Sequence, residues 1–152
     1  MTFDIIPFTD QYLDAVEALE KECFSDPFSR SMLQSAISNE RADTFVALCG
    51  GRLAGYLELF DFVDLVSICT IETAPGFRRR GLADLFIETA ENAAKKRGVS
   101  VLSLEVRVSN SPAISLYEKH GFVRCGIRRG YYEKPREDAA VYYKQLTEEK
   151  QT

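Results

Sequence analysis

Residues 76–84, GFRRRGLAD, place three consecutive arginines directly before a glycine, where an amphipathic run begins. A helix N-terminus at this point would present unpaired N–H donors and a partial positive charge, both of which attract anions. Gly81 would let the backbone approach a ligand closely, and the arginines would add charge-assisted hydrogen bonds. The segment matches neither a Walker A loop nor the GxGxxG spacing. From these residues alone, a phosphate site and a solvated run of surface charge are about equally good interpretations.

Two further residues have side chains suited to proton transfer. Glu105 lies in the run VLSLEVRV, whose alternation alone favours a surface glutamate paired with Arg107. Tyr117 shares a helical face with Ala113 and His120, so its spacing alone favours a core aromatic residue. A carboxylate can nevertheless accept a proton from an amine, and a phenol can protonate a thiolate. The residues themselves leave both interpretations open.

The elements that must position these residues follow from periodicity and turn signals. Strands are predicted in FDIIP, TFVALC, GRLAGYLELFDF, DLVSICTIETAP, VLSLEVRV, FVRCGIRRGYY and DAAVYYKQL. Helices are predicted in TDQYLDAVEALEKECF, in SDPFSRSMLQSAIS after a turn around Pro27, from Gly81 to Gly98 and in SNSPAISLYEKHG. The order β-α-α-β-β-β-α-β-α-β-β predicts an α/β fold, a mixed sheet with helices on its faces.

Three local details accompany these elements. Thr9 or Asp10 is expected to cap the first helix, and Asn110 or Ser111 the last. The apolar face of the third helix is expected to comprise Leu82, Leu85, Phe86, Ala90, Ala93 and Ala94. Gly50-Gly51 indicates a tight hairpin.

The composition, 45% hydrophobic and 28% charged over 152 residues, is typical of one globular domain. No apolar run approaches the roughly 20 residues that span a bilayer, and the N-terminus lacks signal-peptide features. We therefore expect a cytoplasmic protein with no membrane partner. The cysteines are far apart and are expected to be reduced, mostly buried thiols, with neither disulfides nor a metal site; they are Cys23, Cys49, Cys69 and Cys125.

The charge is distributed unevenly along the chain. The net charge of −4 argues against general nucleic-acid binding. Residues 1–75 carry 4 Lys/Arg against 13 Asp/Glu, whereas residues 76–152 carry 15 against 10. This asymmetry suits an anionic ligand on the second half and a cationic ligand facing the first.

Several motifs together resemble a known family. RRRGLA after TIETAP resembles the acyl-CoA pyrophosphate loop of the GNAT superfamily of N-acetyltransferases, and residues 104–122 are similar to its second cofactor segment. LEVRVSN, LYEKHGF, IRRGYY and REDA together resemble the ribosomal-protein-alanine N-acetyltransferase branch, which acetylates the N-terminal alanine of a small-subunit ribosomal protein. The resemblance covers most of the chain and is strongest over residues 71–139. It departs at Ala83, where many relatives carry glycine, and at Phe28, where tryptophan is common.

The resemblance implies a single GNAT-like domain over residues 1–152, with a mixed, mostly antiparallel sheet and helices on both faces. Within it, residues 1–70 or so would form the acceptor-side half and residues 71–125 or so the acetyl-CoA-binding core. Acetyl-CoA would be the co-substrate, and no metal is expected. The implied cofactor-binding residues are Ile71, Glu72 and Thr73, by their backbone on the pantetheine arm, Arg78, Arg79, Arg80, Gly81, Leu82 and Ala83 around the diphosphate, and Asn110.

By the same resemblance, Glu105 is the proton acceptor and Tyr117 the general acid of acetyl transfer. The acceptor would be a protein N-terminus, with Arg129, Tyr131 and the segment Arg136–Ala139 shaping its groove alongside Tyr132; aromatic cross-strand pairing in a hairpin is the alternative for that region. Three other functions stay open. They are acetylation of another amine such as lysine, a polyamine or a drug, non-catalytic coenzyme A binding, and nucleic-acid binding through the arginine run.

Overall fold

The computed structural model describes residues 2–146 of the chain. The strands are β1 (Asp4–Pro7), β2 (Ala42–Cys49), β3 (Arg52–Asp61), β4 (Val66–Thr73), β5 (Val101–Arg107), β6 (Val123–Glu133) and β7 (Arg136–Gln145). The helices are α1 (Leu13–Cys23), α2 (Arg30–Ser38), α3 (Leu82–Lys96) and α4 (Ser111–Lys119). The predicted order of elements is confirmed. The predicted domain range also includes Met1 and residues 147–152, which lie outside the described residues.

Within residues 2–146, the seven strands form a sheet in the order β1-β2-β3-β4-β5-β7-β6. β4 and β5 pair in parallel, with Val66 opposite Leu102 and Ser67 opposite Ser103. β1 with β2, β2 with β3, β5 with β7 and β6 with β7 pair antiparallel. The predicted mixed, mostly antiparallel sheet is therefore confirmed.

The chain divides into two compact units. The first comprises residues 2–60 together with Ile68–Phe86, and the second comprises Asp61–Ser67 together with residues 87–146. In the part of the chain that the structure covers, no helix is long and apolar enough to cross a membrane.

Strand β3 carries helices on both of its faces in the first unit. Neighbouring residues on a strand point to opposite faces. Tyr56 is fully buried in a cluster with residues of α1 and α2, namely Leu13, Val16, Leu19 and Leu33. On the other face, a Cβ at Gly55 would lie 2.9 Å from Leu82 and from Phe86 of α3, and 2.6 Å from the Glu72 carbonyl oxygen. Glycine at position 55 thus allows α3 and β4 to approach this strand closely.

The β2–β3 hairpin forms as Gly50-Gly51 predicts. Both glycines have positive φ, +57° and +80°. A two-residue turn whose central residues both have positive φ matches the twist of the adjoining strands.

Two local expectations are wrong. α1 begins at Leu13, after a 3-10 turn at Asp10–Tyr12, and neither Thr9 nor Asp10 caps it, because its N-cap is Tyr12 with no side-chain bond. On α3, Leu85 is 38% exposed, and Ile87 is buried in its place.

The cysteines also differ from the expectation of mostly buried thiols. Cys69 and Cys125 are exposed, and Cys23 and Cys49 are only partly buried. All four lie within the described residues, and none is in a disulfide.

Candidate active site

The arginine-glycine loop joins β4 to α3 through a left-handed backbone. A 3-10 turn covers Pro75–Phe77, Arg79 has φ of +61° and Gly81 has φ of +83°. A Cβ at Gly81 would meet no atom within 4 Å, so the glycine is required by its conformation and not by crowding. The Leu85 N–H donates to the Gly81 carbonyl at 3.2 Å, which closes the first turn of α3. The loop therefore leads directly into the N-terminus of α3, as predicted.

The buried Phe77 anchors the loop, while the three arginines of the loop are exposed to solvent. Phe77 is buried, with the Arg52 guanidinium 5.5 Å from its ring centroid and the Phe3 ring at 6.4 Å in an edge arrangement. The side chains of Arg78, Arg79 and Arg80 are exposed, as is Gly81, whereas Leu82 is buried and Ala83 is partly buried. Exposed guanidinium groups next to a helix N-terminus form an arrangement that attracts anions.

The end of β4 supplies backbone and one buried acid. The Ala74 N–H donates to the Ala54 carbonyl at 2.8 Å, which continues the ladder with β3. Ile71 and Thr73 are partly buried, and the Arg78 Nε donates to the Thr73 carbonyl at 3.4 Å. Glu72, expected to contribute only its backbone, has a carboxyl side chain that is 5% exposed. The burial of this carboxyl was not predicted from the sequence.

Glu105 lies on the less buried face of β5, as its alternation predicts. Leu102, Leu104 and Val106 are buried on the opposite face. The Glu105 Oε1 lies 3.3 Å from the Arg128 Nε on β6, and the carboxylate side chain is 24% exposed. The alternative interpretation, a pair with Arg107, is wrong about the partner, because the hairpin brings Arg128 to Glu105 instead.

Arg107 holds the turn of the β6–β7 hairpin. Its Nη1 donates to the Pro135 carbonyl at 2.9 Å and its Nη2 to the Lys134 carbonyl at 3.2 Å. Its guanidinium lies 4.3 Å from the Tyr132 ring centroid. These contacts tie the end of β5 to the hairpin that carries Tyr131 and Tyr132.

Glu137 completes this arrangement. It accepts from the Arg107 Nη1 at 3.2 Å and from the Ser109 N–H at 2.7 Å. Hydrogen bonding by Ser109, followed by the bond and charge of Arg107, lowers the pKa of Glu137 below its ordinary value. The carboxylate thereby fixes the chain that leads from β5 to Asn110.

Asn110 caps α4 and so orients Tyr117. Its Oδ1 accepts from the Ala113 N–H at 3.2 Å, which confirms the predicted cap. Tyr117 is 6% exposed, and its ring packs edge-on against Phe122 at 5.8 Å between centroids. Burial, with a smaller contribution from Tyr132, raises the pKa of Tyr117 above the ordinary phenol value of 10. The hydroxyl therefore stays protonated at neutral pH, as a proton donor must.

Tyr132 is a neighbour of both Glu105 and Tyr117. Burial raises the pKa of Tyr132 to about 12, and Tyr131 and Glu105 add to that increase. Tyr132 in turn raises the pKa of Tyr117. This coupling could not be inferred from the sequence, because it depends on the fold of the hairpin.

The remaining predicted groove residues lie on the same hairpin. Tyr131 and Tyr132 contact each other edge-on at 5.0 Å, and Tyr132 stands opposite Glu137, so the aromatic contact is between sequence neighbours and not across strands. Arg129 is exposed on β6. The Gly130 N–H, at φ of +61°, donates to the Asp138 Oδ1 at 2.8 Å, which fixes the backbone of the Arg136–Ala139 segment against β6.

A cavity of about 300 Å³ lies in the first unit, beside α2, β2 and β3. Phe28, Met32, Ala36 and Phe60 form its apolar wall, and Glu58 is its charged member. Glu58 accepts from the Tyr56 hydroxyl at 2.7 Å, and burial raises the pKa of Glu58. Across residues 2–146, no three His, Cys, Asp or Glu side chains are grouped so as to hold a metal ion.

Comparison with known proteins shows which family shares this sequence. A model of the acetyltransferase (GNAT) family matches residues 13–122, which run from the start of α1 past the end of α4. The chain belongs to the GNAT acetyltransferase family. The GNAT match includes the arginine-glycine loop, Glu105, Asn110 and Tyr117, and it confirms the predicted family and the predicted enzyme class, an acetyl-CoA-dependent N-acetyltransferase.

Two curated GNAT relatives are similar over nearly their whole length. The ribosomal protein bS18-alanine N-acetyltransferase of Escherichia coli K12 is 34% identical over 131 residues, which cover 85% of this chain and 88% of the relative. The enzyme of the same name from Salmonella typhimurium LT2 is 33% identical over 142 residues, covering 92% and 94%. The crystal structure of the ribosomal-protein-S18-alanine N-acetyltransferase from Escherichia coli superposes with a TM-score of 0.88 at 30% identity, covering 98% of this chain and 97% of that one.

We expect Glu137→Gln to destabilise this GNAT domain at neutral pH and to have little effect in acid. The folded-state pKa of Glu137 lies below the ordinary carboxyl value of 4.5, so the ionised group stabilises the fold above that value. The stabilisation disappears as the pH falls through the lower, folded-state pKa. Urea unfolding of wild type and variant between pH 7 and pH 3 measures the difference. Glu133→Gln, at an exposed position in the same hairpin, is the control, and a Glu137 effect that is constant with pH would contradict the prediction.

Proposed function

We propose that the protein transfers the acetyl group of acetyl-CoA to a protein N-terminal amine, with the N-terminal alanine of ribosomal protein bS18 as its acceptor. The observation that carries this proposal is the similarity to the Escherichia coli enzyme of that name, which extends over 85% of this chain. Most of the motifs behind the similarity belong to the elements that hold the candidate catalytic residues Glu105 and Tyr117.

The donor would be held by the loop and by the end of β4. Exposed Arg78, Arg79 and Arg80 would neutralise the coenzyme A diphosphate, with N–H groups of Gly81, Leu82 and Ala83 as additional donors. The backbone of Ile71–Thr73 would pair with the pantetheine arm, and Asn110 would contact acetyl-CoA in addition to capping α4. The methyl group of Ala83, where many relatives have glycine, would crowd the diphosphate slightly.

Acetyl transfer requires a neutral amine, a proton acceptor and a proton donor. An α-amine titrates near pH 8, roughly two pH units below lysine, so a useful fraction is neutral under physiological conditions. Glu105 would accept the amine proton, directly or through water, as the nitrogen attacks the thioester carbonyl carbon. Tyr117 would donate its hydroxyl proton to the departing thiolate as the carbon–sulfur bond breaks. The products are the N-acetylated terminus and coenzyme A.

Direct transfer in a ternary complex is the route that these residues support. Transfer through an acetyl-cysteine would need a thiol activated by a nearby base or cation. Burial raises the pKa of the Cys23 thiol, which disfavours the thiolate. A covalent intermediate is therefore not part of the proposal.

The other expectations for the protein stay predictions. These are the cytoplasmic location, the absence of nucleic-acid partners, and the division into an acceptor-side half over residues 1–70 or so and an acetyl-CoA core over residues 71–125 or so. The oligomeric state is not part of the proposal.

An acetylation assay with short peptides tests the function. We expect release of free thiol when the protein, acetyl-CoA and a peptide with the bS18 N-terminus are mixed, and little release when that peptide's α-amine is blocked. Peptides differing only in their first two residues then define the specificity. Faster acetylation of lysine, polyamine or drug amines would show that the acceptor is not a protein N-terminus. Acetyl-CoA binding without turnover would contradict an enzymatic role.

We expect Glu105→Gln to lower turnover by about 10²–10⁴-fold, because the amine proton loses its acceptor. The loss should be largest at low pH, where more of the amine is protonated, and acetyl-CoA binding should survive. Steady-state rates from pH 6 to pH 9 and calorimetry with acetyl-CoA measure the two effects. Arg128→Gln breaks the same ion pair while keeping the carboxylate and is the matched control. An unchanged pH–rate profile in Glu105→Gln would remove Glu105 from this role.

We expect Tyr117→Phe to preserve the fold and to reduce kcat more than it weakens acetyl-CoA affinity. The ring packing against Phe122 is retained, and only the proton donated to the thiolate is lost. Thermal unfolding, kcat and the KM for acetyl-CoA measure these effects. Tyr143→Phe, which removes a hydroxyl from a 40% exposed tyrosine of β7, is the control. Wild-type turnover in Tyr117→Phe would exclude it as the acid.

A further inference from the structure

Two carboxyl groups are buried together in the first unit, and neither has a role in the acetyl-transfer chemistry. Glu20, in the last turn of α1, is 2% exposed, and Glu72, near the end of β4, is 5% exposed. The two side chains are neighbours, because Glu20 contributes, after burial, to the raised pKa of Glu72. We propose that Glu20 and Glu72 hold a single proton between them and act as a positioning pair, which ties the turn before α2 to strand β4.

The hydrogen bonds of the pair show what it connects. The Glu20 Oε1 accepts from the Phe28 N–H at 2.9 Å, eight residues along the chain, and so holds the turn that leads into α2. The Glu20 Oε2 and both Glu72 oxygens are buried, and no hydrogen-bond donor in the described structure reaches them. Buried charged oxygens normally have partners, because an unpaired one carries a large desolvation cost. The proton shared with the neighbouring carboxyl is the partner that this arrangement provides.

Within residues 2–146, the cation that faces this region is Arg78, which is exposed and hydrogen-bonded elsewhere. The titratable and charged groups that face the pair are Tyr56 and Glu58 on β3, Cys23 on α1 and Arg78 beyond the end of β4, the last acting through Cys23. Two of these, Tyr56 and Glu58, are themselves buried and hydrogen-bonded to each other at 2.7 Å. Arg78 is exposed and donates to the Thr73 carbonyl. Two like charges in such a place cannot both ionise, so one carboxyl keeps its proton.

The proposed proton accounts for the raised pKa of Glu72. Burial, then the neighbouring Glu20, raises the pKa of Glu72 to about 10. The Glu20 Oε1 accepts from the Phe28 N–H, which leaves the Glu20 Oε2 to face the shared proton. Loss of the proton would place two negative charges side by side and would push α1 and the Phe28 turn away from β4.

Phe28 gives the pair a functional consequence, which rests on the proposed function. Its side chain packs against the α1–α2 core cluster and lines the 300 Å³ cavity. Phe28 and this cavity lie in the half of the chain, residues 1–70 or so, that is expected to face the acceptor. By holding the Phe28 N–H, Glu20 and Glu72 set the position of this aromatic side chain and hence the affinity for the acceptor.

Unfolding experiments on Glu72→Gln test the shared proton without any assay of activity. The folded-state pKa of Glu72 is raised above the unfolded value of 4.5, so the folded state holds a proton that the unfolded chain has lost between that value and about 10. Wild-type stability therefore falls as pH rises through this window. In Glu72→Gln, the amide can donate to Glu20 with no titratable proton. We expect the unfolding equilibrium constant of wild type, relative to the variant, to rise between pH 5 and pH 9 by up to about tenfold per pH unit.

Two further variants make this result interpretable. Glu22→Gln makes the same change at an exposed position on α1 and should show no such trend. Glu20→Gln leaves Glu72 buried and titratable but removes the neighbouring acid, while its amide oxygen can still accept from Phe28, so it should show the same trend as Glu72→Gln with a smaller slope. A ratio that stays constant with pH in both Glu72→Gln and Glu20→Gln would overturn the proposal.

Amide hydrogen exchange at Phe28 tests the positioning. We expect the protection factor of the Phe28 amide in wild type, divided by that in Glu72→Gln, to decrease as pH rises from 6 to 9. The Met32 amide, which donates to the Ser29 Oγ at 3.3 Å, lies in the same region and is the internal reference. A Phe28 ratio that does not change, while the stability ratio does, would show a shared proton with no positioning role and would overturn that part of the proposal.

Kinetics then connects the pair to the acceptor. Comparing wild type with Glu72→Gln at each pH cancels the ionisation of the acceptor amine itself. We expect the ratio of their acceptor KM values to rise with pH, while the ratio of their acetyl-CoA KM values stays constant with pH. If no peptide is acetylated but the unfolding and exchange trends appear, the proposed function fails and the positioning pair stands. If acetylation proceeds and the unfolding and exchange trends are absent, the proposed function stands and the positioning pair fails.

Discussion

The left-handed backbone at Gly81 is the constraint on which the donor side of the structure depends. A φ of +83° turns the chain from the end of β4 into α3 within a few residues, and it brings the N-terminus of the helix next to the exposed arginines. Phe77, buried below the loop, prevents the turn from collapsing inward, so the arginines stay at the surface. Gly55 adds a second requirement, since any side chain there would displace α3 from β3. The backbone at Gly81 and the packing at Gly55 and Phe77 therefore both fix the position of the loop arginines relative to α3.

In the second unit, Arg107 has the corresponding organising role. It contacts the hairpin turn through two carbonyl oxygens, an aromatic face and a carboxylate, and a planar guanidinium can satisfy all of these at once where lysine could not. Glu137 extends the contact to the chain before Asn110, whose cap sets the direction of α4. The hydroxyl of Tyr117 is thus positioned through a chain of contacts that begins at a residue with no chemical step of its own.

Much of this could be read from the sequence, because periodicity and capping are local properties. The alternation in VLSLEVRV correctly separates Glu105 from the buried Leu102, Leu104 and Val106, and Asn110 caps its helix as expected. Partners distant along the chain could not be predicted in the same way. Glu105 pairs with Arg128 because β6 and β5 both flank β7, a fact of topology that no local pattern contains. The capping signal at Thr9 failed because an intervening 3-10 turn starts the helix later.

At Glu20 and Glu72 the sequence pattern indicates burial, whereas the residue type indicates exposure. Glu20 lies four residues after Val16 and one after Leu19, on the apolar face of α1, and Glu72 alternates with the buried Val66 and Ile68 on β4. Each pattern predicts burial, whereas a lone glutamate in either place is normally exposed because a buried carboxylate is costly. The conflict disappears only when the two acids are considered together, since one proton lowers the cost for both. A chain that places two acids on facing apolar stripes must therefore bury them as a pair, and the free energy of that pair depends on pH in a way that a hydrophobic contact would not.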